Sequence, residues 1–406
     1  MAGYIIILLL FFLPLLVIPF GYSYFEFPKV ICAQVLIEIL VVLKFFKAKF
    51  PTRLLIPVIL LGLLTVFDLL FLRTETTFWG NVFRFQGVFL LWHLLLLALV
   101  SSQIKLPKIS RLFYLIPLFG LFASGLLLGK NGVGRSFGTL GEPNALAASA
   151  IFLLPFVYFA SNKIARLISL AIILWIILLS GSRAGLVAFV VQIVFFVLTG
   201  WFTLKKAVLV CLALLIFSLS FPFIEGGGWY ENRAEVWQAS LVAGSLNPLL
   251  GGGFGNIEKL IPKGSEIANN NARYQYVDSS HNFLLDFWVS GGLAGVLVLG
   301  FLLFQTFKNF TRQEKRLELA AFLGLITVMS FNPVSVVTLV AFWWLIGQSY
   351  NQLYPRIQGR AIKITSSYDI LDLADKFKSE DRKKSVLSTS KEMEKSFSGV
   401  VHCFEQ

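Results

Sequence analysis

The chain has 406 residues, of which 57% are hydrophobic and 14% are charged, and its formal net charge is +13. Apolar runs of about twenty residues, long enough to cross about 30 Å of hydrocarbon, follow one another along most of the chain. This pattern excludes a soluble fold, and the lack of short alternating segments excludes a membrane barrel. The positive charge lies between the runs and in the C-terminal tail, so it indicates membrane lipids rather than nucleic acid as partners.

The runs predict an all-α polytopic membrane protein with about twelve transmembrane helices. The predicted spans start near residues 5, 29, 54, 85, 110, 143, 164, 184, 206, 282, 316 and 334. Lysine and arginine clusters follow spans 2, 4, 6, 8 and 10, so these loops and both chain termini are expected to face the cytoplasm. Residues 1–350 are expected to form the transmembrane domain, and residues 351–406 a cytoplasmic tail that is partly disordered or carries a surface helix.

A polar stretch, residues 225–281, separates the ninth and tenth predicted spans and is therefore expected on the outer side. It ends at His281, which Asp278 and Asn282 accompany in the sequence. An imidazole titrates near neutrality and can accept a proton from a hydroxyl group, which makes His281 a candidate general base. The alternative is a structural histidine at a helix start that bonds only its neighbours.

Four arginines lie at the outward ends of predicted spans or in the outward loops, against the usual bias of positive charge toward the cytoplasm. They are Arg84, Arg135, Arg183 and Arg233. A guanidinium group presents a planar set of donors that matches phosphate oxygens, so a cluster of them suits a lipid-linked phosphate or pyrophosphate. The alternative is that these side chains only extend toward lipid headgroups.

The sequence GGGFG at 251–255 lacks the Gly-Lys-Ser/Thr ending of a nucleotide-binding loop, so it is interpreted as a tight turn. It follows residues 235–250, which are predicted to form a short helix that dips into the bilayer. The outward loops contain no Asp-x-Asp pair, the usual metal ligand of glycosyltransferases that use nucleotide sugars. Neither a metal ion nor another cofactor is therefore expected.

Together these segments resemble the O-antigen ligase and polymerase superfamily, over about residues 75–350. The most specific similarities are SGSRAG at 180–185, the Arg-x-x-x-Trp segment that begins at Arg233, and the Ser-His-Asn that contains His281. The resemblance implies a GT-C-like helical bundle with a large periplasmic loop between helices nine and ten. It implies catalytic roles for Arg183, Arg233 and His281, and substrate binding by Arg84, Arg135, Asp278 and Asn282.

By the same resemblance, the protein is a glycosyltransferase of the bacterial cytoplasmic (inner) membrane. It would move a glycan from an undecaprenyl pyrophosphate carrier to an acceptor such as the lipid A core, as in lipopolysaccharide biosynthesis. A polymerase that lengthens the glycan on its own carrier is one alternative, and a solute transporter is another. The charges gather at one face of the predicted bundle rather than at the midplane, which favours an interfacial enzyme over a transporter.

Overall fold

The computed structural model describes residues 1–19, 23–45, 49–107, 111–132, 134–160, 163–200, 233–274 and 276–351. Within these ranges the chain is helical and contains no β-strand, only one isolated bridge between Lys130 and Ser136. In chain order, the helices of the first part are α1 Ala2–Ile7, α2 Glu26–Lys44, α3 Thr52–Phe71, α4 Glu75–Trp79, α5 Val88–Ser101, α6 Leu115–Leu127, α7 Pro143–Ala160, α8 Lys163–Ser180 and α9 Arg183–Leu198. The later ones are α10 Arg233–Ser245, α11 Ile257–Ile267, α12 Phe283–Arg312, α13 Arg316–Met329 and α14 Val336–Ser349.

Eleven of the predicted spans have an apolar helix at or near the expected position in the described residues. The first continues from α1 as an irregular helix to Leu15. Two helices, α3 and α12, are both long and apolar enough to cross a membrane, and several of the others are shorter apolar helices. The ninth predicted span, the start of the polar loop and the predicted tail lie outside the described residues.

The helix at the centre of the bundle is α14, all of whose residues are buried. It packs on α2, α5, α7, α12 and α13. Gly347 allows α14 to pack closely on α5, because a Cβ atom there would lie 2.2 Å from the carbonyl oxygen of Ala98 on α5. A helix that is apolar on all sides belongs in the interior of a bundle. The peripheral helix α3, by contrast, exposes a row of large apolar side chains, as a lipid-facing helix does.

Helix α12 is broken at Gly292, which has φ 55° and ψ −153°. The sequence predicted one uninterrupted apolar helix here, so the break is a correction. In a regular helix the carbonyls of Val289 and Ser290 would accept from the amides four residues later. Instead they accept from Gly252 and Gly253, at 2.9 Å each.

The amides freed by the break are also satisfied by the same loop. Leu293 and Ala294 donate to the carbonyls of Pro248 and Leu249, at 2.8 and 3.0 Å. The glycine-rich loop therefore supplies one partner for each of these four backbone groups. Such an exchange matters in a membrane protein, because hydrocarbon offers no other partner for backbone groups.

The part of the polar loop that the structure describes contains the helical pair α10 and α11. The predicted helix over 235–250 is found as Arg233–Ser245, and it ends before the glycines. Gly264 lets the two helices touch, since a Cβ atom there would lie 2.1 Å from the carbonyl oxygen of Ala239. Asn256 fixes the loop to the rest of the protein: its side chain accepts from Thr74 and Thr77 and donates to Leu72.

Candidate active site

The turn between α8 and α9 places Arg183 at the first position of α9, with its side chain exposed. Ser182 caps the helix, its hydroxyl accepting from the amide of Gly185 at 3.2 Å. Gly185 brings α9 close to α7, because a Cβ atom there would lie 2.8 Å from that of Ala147. The small residues of the motif therefore form a tight turn against α7, with the arginine at its edge.

Arg135 lies against the same turn. Its Nε donates to the carbonyl oxygen of Ser180 at 2.8 Å, and its Nη2 donates to Asn144 Oδ1 at 3.0 Å. The next residue, Ser136, donates its amide to the carbonyl of Leu179 at 2.9 Å. The structure thus brings together Arg135 and the turn that carries Arg183, two elements that the sequence singled out separately.

Arg233, at the start of α10, is half-buried and reaches the same turn through Asn332. Its Nη2 lies 3.4 Å from Asn332 Oδ1, and Asn332 Nδ2 lies 3.5 Å from Ser182 Oγ. Asn332 is 1% exposed and sits in the connection between α13 and α14. Sequence reasoning missed this residue, although its Asn-Pro pair between two apolar helices marks a break worth attention.

Arg84 forms ion pairs with two carboxylates. Its Nε donates to Asp278 Oδ2 at 2.6 Å, and its Nη1 lies 3.4 Å from Glu142 Oε2. Burial by itself disfavours the charged guanidinium, but the negative charges of Glu142 and Asp278 outweigh it and raise the pKa of Arg84 above its ordinary value. Arg84 therefore remains charged and attaches the segment before His281 to the start of α7.

His281 is 8% exposed and has φ 55°, a left-handed conformation that is uncommon for a residue other than glycine. Its amide donates to Ser279 Oγ at 3.0 Å. Asn282 caps α12, its Oδ1 accepting from the amides of Leu284 and Leu285 at 3.0 and 3.3 Å. The histidine thus occupies a turn that its neighbours hold tightly.

The short segment at the start of α7 connects the arginine groups. Glu142 bonds Arg84, and Asn144, two residues later, bonds Arg135. Polar contacts therefore lead from the turn of Arg183 through Arg135 and Asn144 to Glu142 and Arg84, and on to the segment of His281. Among the described residues, no group of three or more His, Cys, Asp or Glu side chains is placed to hold a metal ion.

An apolar cleft, partly open to the surroundings, lies beside this region. Apolar side chains of α5, α12 and α14 line most of it, together with Phe254 of the glycine-rich loop. The few polar groups on its wall include Gln86 and Asp286. Asp286 also binds the two serines before His281, so the cleft adjoins the histidine segment.

Residues 168–300, about one third of the chain, match the model of a family described as O-antigen ligase. Over this part of its length the chain is similar to the O-antigen ligase family. The match confirms the resemblance to the O-antigen ligase and polymerase superfamily, whose members are membrane enzymes akin to glycosyltransferases. A comparison with curated proteins found no match.

The matched region contains all three residues for which the resemblance implied catalytic roles, Arg183, Arg233 and His281. Arg84 and Arg135 lie before it and Asn332 lies after it, yet all three contact residues within or directly beside its turns. The candidate site is therefore assembled from the matched region and from segments on both sides of it in the sequence.

Proposed function

We propose that the protein transfers a glycan from an undecaprenyl pyrophosphate carrier to an acceptor at the outer face of the bacterial cytoplasmic membrane. The observation that carries this proposal is the link between the segments of Arg183 and Arg233, which meet through Ser182 and Asn332. Both arginines lie in the region that matches the O-antigen ligase family. Two guanidinium groups on segments that meet suit a pyrophosphate, because each offers a planar fork of charged donors.

In this proposal Arg183 and Arg233 bind the pyrophosphate of the donor. They stabilise the negative charge that develops on it as the bond from the anomeric carbon to the phosphate oxygen breaks. Fixed guanidinium groups take the part that a metal ion plays in many other transferases. The pyrophosphate leaves on its lipid with the electron pair of the broken bond.

His281 is the general base of the reaction. It takes the proton of the acceptor hydroxyl while the hydroxyl oxygen forms the new bond to the anomeric carbon. A single attack of this kind inverts the configuration at that carbon. Asn282 and Asp278 border the histidine, and we assign them, with Arg84 and Arg135, to the substrate-binding wall.

Arg84 and Arg135 serve this wall in two ways. Arg135 adds positive charge beside the pyrophosphate, whereas the charge of Arg84 is balanced by Glu142 and Asp278. The hydrogen bonds of both arginines hold the segments of His281 and Arg183 in place. The apolar cleft beside Asp286 is suited to the hydrocarbon part of a lipid-linked substrate. In the membrane, we place both chain termini and the tail in the cytoplasm and the loop with α10 and α11 outside.

A transfer assay with the purified protein, carrier-linked glycan and candidate acceptors tests the proposal. His281→Ala and Arg233→Ala should each reduce transfer at least about 100-fold, since each removes a group that acts in the transition state. Arg273→Ala is the matched control, because Arg273 is an exposed arginine of the same loop that stacks on Tyr274.

The products separate the alternatives. A modified acceptor supports a ligase, and glycans lengthened on the carrier would make the protein a polymerase of the same superfamily. Equal loss of transfer in Arg273→Ala and Arg233→Ala would remove the special role of Arg233. If no transfer is detected and proteoliposomes that contain the protein take up a solute, the protein is a transporter and the proposal is wrong.

A further inference from the structure

Asp286, in the first turn of α12, receives three hydrogen bonds from the two residues before His281. Its Oδ1 accepts from the amide of Ser280 at 2.7 Å and from the hydroxyl of Ser280. Its Oδ2 accepts from Ser279 Oγ at 3.0 Å. Both serines are buried. The carboxylate therefore fixes a turn that has little contact with solvent.

The same contacts reach the backbone of the histidine. Ser279 Oγ accepts from the amide of His281 and donates to Asp286 Oδ2, so one hydroxyl joins the carboxylate to the histidine. His281 holds a left-handed conformation, with φ 55°. Such a conformation is unfavourable for a residue with a Cβ atom and persists only where surrounding contacts impose it. Asp286 supplies these contacts through the serines.

Helix capping does not account for Asp286. The N-terminus of α12 is capped by Asn282, whose side chain accepts from the amides of Leu284 and Leu285. Asp278, the carboxylate nearest to His281 in the preceding sequence, is held by Arg84. The hydrogen bonds of Asp286 go instead to the two serines before His281.

We propose that Asp286 is a positioning residue for His281: it holds the imidazole for proton transfer through the Ser279-Ser280 turn. This inference rests on the proposed function, because it assigns a task to the base of that reaction. Asp286 touches no reacting atom in this scheme and acts only through the histidine.

A double-mutant cycle in the transfer assay tests the dependence on the histidine. Asp286→Asn should lower kcat about 10- to 100-fold, the range expected for losing hydrogen bonds to a charged group, and leave the KM for the donor within about twofold. In a His281→Ala background the same substitution should cause no further loss, because the residue on which Asp286 acts is gone. The inference would be overturned if Asp286→Asn lowered kcat by the same factor in both backgrounds, or if Asp286→Asn alone kept the wild-type kcat.

Two further variants keep the test decisive. Glu235→Gln is the matched control: this carboxylate also holds a turn of the outer loop, accepting from Asn271 at 3.2 and 3.3 Å, and its loss should leave kcat unchanged. If Asp286→Asn does not fold, Ser279→Ala breaks the link and leaves the carboxylate in place. Its kcat should fall in the wild-type background and not in His281→Ala.

A readout independent of turnover separates this inference from the proposed function. Diethyl pyrocarbonate carbethoxylates histidine, and mass spectrometry of the full-length protein measures how fast His281 reacts. The rate of this reaction should differ from the wild-type rate by at least about threefold in Asp286→Asn and should be unchanged in Glu235→Gln. If the wild type shows no transfer activity but Asp286→Asn still changes the labelling rate of His281, the proposed function is refuted and the positioning role is retained. Unchanged labelling in Asp286→Asn would refute the positioning role, whatever the activity.

Discussion

Replacing Gly292 by alanine tests how the glycine-rich loop and α12 are joined. A Cβ atom at this position would lie 2.6 Å from the amide nitrogen of Gly251 and 2.7 Å from the carbonyl carbon of Leu249. The backbone conformation there is one that residues other than glycine rarely adopt. The substitution must therefore either strain the chain or push the loop away from the break.

The cost follows from the contacts at the break. Backbone strain amounts to about 1–3 kcal/mol. If the loop is displaced instead, four backbone hydrogen bonds are weakened, each worth about 0.5–1.5 kcal/mol net, so that response costs up to about 2–6 kcal/mol. The four bonds join Gly252, Gly253, Leu293 and Ala294 to carbonyls on the opposite side of the break.

Thermal unfolding of the protein in detergent, followed by circular dichroism, provides the assay. Gly300→Ala is the matched control, because Gly300 lies in the same helix and a Cβ atom there meets nothing within 4 Å. Alanine in place of a helical glycine should raise stability by up to about 1 kcal/mol. We expect Gly292→Ala to lower Tm by several degrees and Gly300→Ala to keep or raise it. Equal Tm values for the two variants would refute the reasoning.

Three other substitutions test separate parts of the site and its support. Arg183→Lys should lose most transfer activity, since a point charge does not reproduce the guanidinium fork, while Arg273→Lys should retain it; near-normal turnover in Arg183→Lys would contradict the assigned role. Asn256→Ala should lower the stability of the protein by about 2–4 kcal/mol, measured as a fall in Tm, because it removes hydrogen bonds to buried groups of two segments. Arg84→Met should destabilise the protein by about 3–5 kcal/mol, because it leaves carboxylates uncompensated, and adding Asp278→Asn should restore part of the lost Tm. A Tm that falls further in this double variant would show that Asp278 has another essential partner.

The sequence predicted the helical bundle well, because each span leaves a continuous apolar run that is visible without any knowledge of its neighbours. It also predicted the tight turn before Arg183, since small residues there separate two apolar helices by only two residues. These features depend on local composition. Local composition is what a single sequence displays most directly.

The break in α12 escaped prediction for a physical reason. Gly291 and Gly292 are compatible with a continuous transmembrane helix, and what favours the break is a loop some forty residues earlier that supplies the replacement hydrogen bonds. A pairing between two such distant segments leaves no periodic signal in either of them. The glycines at 251–253 marked a turn but gave no indication of its partner.

The arrangement of the arginines was equally hidden. Sequence position suggested four similar groups, but the structure distinguishes them by their partners: Arg84 bonds two carboxylates, and Arg135 bonds a carbonyl and an amide. Asn332 enters the site through contacts with residues far away in the sequence, and Asp286 through contacts with serines that precede its helix. An asparagine beside a proline and an acidic residue near a helix start have ordinary structural explanations when seen in sequence alone.

The most direct test of the proposed function follows both products of one reaction. Purified protein is mixed with an undecaprenyl pyrophosphate-linked glycan and an acceptor, and mass spectrometry measures the modified acceptor and the released undecaprenyl pyrophosphate together. The proposed transfer predicts equal amounts of the two products from the wild type, and almost none from His281→Ala. Carrier-linked glycan that stays intact with every acceptor, or equal product from His281→Ala, would contradict it.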